Sequence, residues 1–224
     1  MTIELAGERV ELLAGRALWR PAASTLLIAD PHWGKAATLR HANLPIPPGS
    51  TTDDLRRLSE LLVSTRAERL VILGDLLHAK QGRHPETIAA VEAWRRNHAE
   101  LTVALVRGNH DLRAGDPPAT WRMECHDEPL RDGPFALRHV PGPEPGAYVL
   151  AGHLHPKARL WGPAGEVLKL HCFRIGPASA VLPAFSGLAD GGLFQPRPDE
   201  RVFVIAEDEV VEVPGVRRDR AGGG

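Results

Sequence analysis

The chain is poor in cysteine and in aromatic residues: it has two cysteines, one tyrosine and 5% aromatics in 224 positions. Cys125 and Cys172 cannot build a disulfide framework, and neither stands in a CxxC pair, so a zinc-thiolate knuckle is excluded. A reducing cytoplasm is the expected compartment. An excess of one charge is also missing. Lys and Arg number 27 against 28 Asp and Glu, for a net charge of −1. No overall basic field draws in nucleic acid, so any such contact has to come from local arginines. No apolar run approaches the roughly 18 residues of a membrane span. The opening "MTIELAGERVELL" alternates apolar and charged residues and lacks the head and core of a signal peptide. With 43% hydrophobic and 25% charged residues, the composition is that of a soluble globular protein. The expectation is one domain over residues 1–215, followed by a disordered tail at 216–224 that ends "RRDRAGGG".

What the chain has is a series of apolar runs rich in Val, Ile and Leu. "TLLIAD" (25–30), "RLVILGD" (69–75), "LTVALVRGN" (101–109), "FALRHV" (135–140) and "AYVLAG" (147–152) suggest strands covered on both faces. Further strands are expected at 166–175, 179–185 and 201–206. Two helical patterns separate the early runs. In "TTDDLRRLSELLVSTRA", Leu55, Leu58 and Leu62 form one side and Arg56, Arg57 and Glu60 another. Thr51 or Thr52 is the expected cap, with Asp53 and Asp54 at the positive end of the dipole. "HPETIAAVEAWRRNH" starts with Pro85 and lines up Ile88, Val91 and Trp94. Alternating strands and helices in the first half imply parallel βαβ units. The second half reads as strands and turns, with loops at "AGDPPAT" and "VPGPEPGA".

Eleven histidines are scattered along the chain, and several coincide with strand ends. The first strong strand ends "IADPHWGK", with Asp30 and His32. The second ends "ILGDLLH", with Asp75. The third ends "VRGNHD", with Asn109, His110 and Asp111. A later strand ends "AGHLHPK", with His153 and His155. In a parallel sheet with right-handed crossovers, the carboxyl ends of strands share one edge. Ligands separated by 45, 34 and 44 residues would therefore converge. Two carboxylates, several imidazoles and one amide oxygen, without thiolate, suit Mn²⁺, Fe²⁺ or Zn²⁺ better than Ca²⁺ or Mg²⁺. A pair of such ions, sharing a carboxylate, lowers the pKa of water and neutralises phosphate oxygens.

The motifs D-x-H, G-D-x-x-H, G-N-H-D and G-H-x-H, in this order, resemble those of the calcineurin-like metallophosphoesterases. "DPHWGKAATLRHANLPIPPGSTTDDLRRL", "AGHLHP" and "VLPAFSGLADGG" are similar to stretches of the ligase-associated DNA damage response endonucleases of the PdeM type. The resemblance spans roughly residues 20–205. It implies an α/β fold, a two-sheet β-sandwich flanked by helices. It implies that Asp30, His32 and His155 hold one metal ion and that Asp75 bridges. Asn109 and His153 would hold the second with one more histidine, His139 in "ALRHVPG", or its competitor His126 in "MECHDEP". His110 would be the catalytic imidazole, with Asp111 orienting its ring or raising its pKa. The implied cofactors are two divalent transition-metal ions, Mn²⁺ foremost. The implied reaction is endonucleolytic hydrolysis of DNA, single-stranded or structured, in bacterial repair alongside a DNA ligase, a helicase and a nuclease.

Two rival readings share these residues: a phosphatase or phosphodiesterase for small substrates, and a repair-complex subunit that binds metal without chemistry. Other residues have plainer readings beside functional ones. His78 suits a role behind the ligands or on the surface. Lys35, Arg40 and Arg113 suit phosphate contact or helix surface. Arg56–Arg57 and Arg95–Arg96 read as solvated helix faces. Trp33 reads as core packing or as a wall of the site. The two cysteines read as small buried apolar residues.

Overall fold

The computed structural model describes residues 1–41, 44, 49–161, 166–189 and 191–213; the tail expected from 216 lies outside them. The first sheet has seven strands in chain order: β1 (Thr2–Leu5), β2 (Glu8–Leu13), β3 (Ala17–Arg20), β4 (Thr25–Ala29), β5 (Arg69–Leu73), β6 (Thr102–Val106) and β7 (Glu124–His126). Strands β1 to β4 pair antiparallel. From β4 to β7 the pairing is parallel. The parallel links need crossovers, and the helices supply two of them: α1 (Lys35–His41) and α2 (Ser50–Thr65) between β4 and β5, α3 (Pro85–Asn97) between β5 and β6.

The second sheet holds β8 (Leu130–Asp132), β9 (Phe135–Leu137), β10 (Tyr148–Ala151), β11 (Lys157–Trp161), β12 (Val167–Ile175), β13 (Ser179–Val181), β14 (Arg201–Ala206) and β15 (Glu209–Val213). Its order is β15-β14-β12-β13-β10-β9-β8, with β11 off this path and paired to β12. The architecture is the expected α/β sandwich of two mixed sheets with helices. Among the described residues no helix is long and apolar enough to cross a membrane.

The apolar runs are continuous because β4, β5 and β6 are covered on both faces. Leu26, Ile28, Leu70, Ile72, Val103 and Leu105 pack with Leu55, Leu58, Leu62, Val91 and Trp94 of the helices. The alternate residues Leu27, Ala29, Val71, Leu73, Ala104 and Val106 pack with Phe135, Leu137, Leu150, Phe173 and Phe203 of the second sheet. Each fully buried Leu or Ile is worth about 2 kcal/mol. An exposed pair such as Arg56–Glu60, at 3.2 Å, adds only a few tenths. Packing, not surface charge, holds α2 in place.

Three expectations for the helices are corrected. The N-cap of α2 is Gly49, without a side-chain cap; the Thr51 hydroxyl instead accepts the Gly34 N–H at 3.1 Å. Arg57 is only partly exposed. It pairs with Asp54 at 2.9 Å, donates to the Phe185 carbonyl and lies over the Phe185 ring. Arg95 is buried and donates to the carbonyls of Trp121, His98 and Leu101. Trp33 is core: it is buried against Trp94 and Trp121.

Candidate metal centre

The loops that follow β4 and β5 keep pairing after the strands end. Asp30 N–H bonds to Gly74 O at 3.2 Å, His32 N–H to Asp75 O at 3.0 Å, and Trp33 N–H to Leu76 O at 2.8 Å. The second sheet joins through Phe185 N–H to Ala29 O at 2.7 Å and His153 N–H to an Asp30 carboxylate oxygen at 2.8 Å. This lattice brings two groups together. Ligand atoms of Asp30, His32 and His155 lie within 4.8 Å of one another, as do those of Asp75, His139 and His153. His139 lies between the carboxylates, its Nδ1 3.6 Å from Asp30 and its Nε2 3.4 Å from Asp75. Asn109 opens a short helix, α4 (Asn109–Ala114), and its Oδ1 stands 3.0 Å from His139 Nε2. His126 is on β7, beside Glu124 and outside both groups.

The backbone is bent to achieve this. Asp30, His32, Asp75, His153 and His155 all adopt positive φ, between 44° and 69°. For residues with a Cβ this costs on the order of 1–2 kcal/mol each, and such strain gathers where function requires it. Gly74 and Gly108 show why their motifs need glycine. A Cβ on Gly74 would overlap the His139 ring, and one on Gly108 would overlap the Asp75 carboxylate.

The electrostatics favour a cation. Burial, with the neighbouring histidines and Lys35, pushes the His32 imidazole down to about 2, so its ring is neutral with a free lone pair. His139 Nδ1 donates to the Leu73 carbonyl at 3.1 Å. That bond fixes the tautomer and leaves the Nε2 lone pair facing Asn109 Oδ1, His153 Nδ1 at 3.0 Å and the Asp75 carboxylate. Asp30 Oδ1 is buried without a hydrogen bond. Lone pairs crowded this way repel unless positive charge stands among them. The residues fit two divalent ions with mixed N/O ligation.

His110 belongs to the same cluster, edge-on to His32 at 5.2 Å. Its Nδ1 bonds to the His78 carbonyl at 2.6 Å, and its Nε2 is 3.8 Å from Asp75. Asp111 does not orient this ring. Its carboxylate accepts the N–H groups of Gly108 at 2.8 Å and Leu77 at 3.4 Å, tying the loops together. Burial raises it to about 6 despite those bonds. The residue that sequence reasoning undervalued is His78, whose carbonyl fixes His110 and whose ring stacks on it at 5.2 Å. Its place three positions after Asp75 was the available signal. Lys35 stands close enough to depress His32 and His78. Arg40 faces Glu86 at 3.7 Å, and Arg113 is exposed on α4.

A model of the calcineurin-like phosphoesterases matches residues 23–141, which is more than half of the chain. The chain belongs to the calcineurin-like phosphoesterase family. It is a metallophosphoesterase whose clusters form a dinuclear-like site. This phosphoesterase is 42% identical to the nuclease MPE of Pseudomonas putida, with a TM-score of 0.85, over 95% of its own length and 99% of the other chain. Yfce, a phosphoesterase from E. coli, is 16% identical over 84% of this chain and 97% of that one, at a TM-score of 0.42, too distant to carry weight. No curated protein matches the phosphoesterase.

Proposed function

We propose that this metallophosphoesterase is a DNA endonuclease of bacterial repair, of the PdeM type, acting in the cytoplasm as one domain over residues 1–215 on single-stranded or structured DNA. The observation that carries this reading is the 42% identity, over 95% of the chain, to a protein described as a nuclease. Asp30, His32 and His155 would hold one ion, and Asn109, His139 and His153 would hold the other with the carboxylate of Asp75. Two divalent ions, Mn²⁺ in the first place, supply acidity to water and charge to the phosphate oxygens. The remaining chemistry belongs to the chain. Water attacks phosphorus and gives up one proton to solvent, the bond from phosphorus to the leaving sugar oxygen breaks, and that oxygen takes a proton from a doubly protonated ring that solvent then recharges. His110 provides it from Nε2, because Nδ1 is engaged by the His78 carbonyl. His78 keeps the ring in position, and Asp111 ties the loops around it. A repair ligase, a helicase and a nuclease act beside it.

Circular single-stranded DNA has no ends and tests the reading directly. The protein is stripped with chelator and reloaded with Mn²⁺, Mg²⁺ or Zn²⁺ in turn, with His110→Ala as control. Metal- and His110-dependent linearisation is expected. The net charge of −1 favours the rival reading, a small-substrate phosphodiesterase or phosphatase. An intact circle alongside hydrolysis of a small phosphoester would establish that rival.

A further inference from the structure

Strands β11 and β12 form a two-stranded ribbon that begins two residues after His155. The register sets Lys157 opposite His171, Arg159 opposite Lys169, and Trp161 opposite Val167. Side chains alternate along a strand, so these six share one face. The other face carries Ala158, Leu160 and Leu170, which pack with Cys172, Phe194, Val202 and Val204. Toward its tip this face points outward, while Lys157 and His171 at its base are half-buried. Arg159 and Lys169 are exposed, and Trp161 is 64% exposed.

This face has an odd composition for a free surface. Like charges directly opposite each other weaken a strand pair, yet Arg159 and Lys169 stand so. Neither has a carboxylate partner among the described residues, whereas Arg201 on the same sheet is held by Glu212 at 2.8 Å. None of its six residues is acidic. A large exposed indole next to unpaired cations is not explained by folding, since burying Trp161 would be worth more than exposing it. The base of the ribbon abuts the metal centre. Lys157 stands two residues after His155 and opposite the half-buried His171. From Lys157 to Trp161 the strand runs about 13 Å.

We propose that this face is a binding arm for single-stranded nucleic acid. The backbone phosphates of the strand leaving the metal centre lie along Lys157, Arg159 and Lys169, and a base stacks on Trp161. The inference rests on the endonuclease reading for its substrate, but it concerns binding, which is measured separately. Cations that track a backbone and an aromatic that takes any base are what sequence-tolerant strand binding requires. The arm also supplies a local basic stripe that a net charge of −1 does not suggest.

The test is fluorescence anisotropy of a labelled oligothymidylate with metal-free wild type, Arg159→Gln/Lys169→Gln, Trp161→Ala and Trp161→Phe. Hydrolysis of bis(p-nitrophenyl) phosphate by the loaded proteins is the control for an intact site. Binding should weaken about tenfold or more in the charge variant. Its salt slope should become shallower by about 1.4, the share of two phosphate contacts on a single strand. Trp161→Ala should weaken binding about tenfold and Trp161→Phe should restore most of it, with the small ester turned over at the wild-type rate throughout. Unchanged oligonucleotide affinity in both variants, or no affinity in the wild type, would overturn the arm. An equal loss on a duplex of the same length would overturn its assignment to single strands. Arm-dependent binding by a wild type that leaves the DNA circle intact would keep the arm and sink the endonuclease reading.

Discussion

The two ends of the parallel strands treat charge in opposite ways. At the starting end, Arg20 is buried and bonds twice to Glu8, at 2.8 and 3.0 Å, with Asp132 at 3.1 Å. Arg69, the first residue of β5, reaches the same Asp132 at 2.5 Å. At the finishing end, four histidines and two carboxylates crowd together. Lone pairs face each other there, a buried Asp30 oxygen has no partner, and five residues are left-handed. The same strands and the same core support both ends. One end pairs its buried charge with opposite charge from within the chain; the other is complete only when something positive arrives. Function sits where local rules are broken together.

The sharpest way to break the contrast is Asp75→Asn. Burial already holds this carboxyl above its ordinary range. Catalysis of bis(p-nitrophenyl) phosphate should fall about a thousandfold or more, while metal-free thermal stability holds or rises; a large loss of metal-free stability would put Asp75 in the scaffold. His110→Ala should lower kcat about a hundred- to ten-thousandfold with metal content unchanged by elemental analysis. His139→Ala should lower that content and His126→Ala should not, and the reverse would move the ligand to β7. At the other end, Asp132→Ala strips a partner from buried Arg20. It should cost about 3 kcal/mol in urea unfolding and leave turnover per folded molecule unchanged. Ions at a hundredfold excess over Kd should stabilise the protein by about 2.7 kcal/mol; equal melting with and without chelator would mean that the clusters do not bind. The last effect concerns pH. The His171 ring titrates near 3 in the fold and near 6.5 unfolded. Between these values the unfolded chain binds the extra proton, so stability falls as the solution is acidified. His171→Gln should make that dependence shallower by up to one proton, as read from urea midpoints across the range.

Much of this was legible in the chain because ligand-type residues coincide with the ends of apolar runs. Asp30, Asp75 and Asn109 follow β4, β5 and β6 by one to three residues, so the shared edge of a parallel sheet brings them together. Arg57 and Arg95 were misread because helical periodicity sees only the shell the helix makes with its sheet. Their partners, Phe185 and Trp121, come from segments 128 and 26 residues later that the pattern within one helix does not contain. Asp111 was misread for a similar reason. A carboxylate next to a histidine suggests a dyad, but in a short helix it turns back to bond the Gly108 N–H. The left-handed ligands had no signal beyond the glycines packed against them.

Each cluster draws on both sheets: Asp30 and His32 come from the first and His155 from the second, Asp75 from the first and His139 and His153 from the second. Neither sheet alone owns a complete set. Bound ions therefore act as rivets through the sandwich, and sliding one sheet against the other has to tear ligands away. Escape of metal should then be the slow step in unfolding the loaded enzyme, so that the lifetime of the fold follows the exchange rate of the ions it holds.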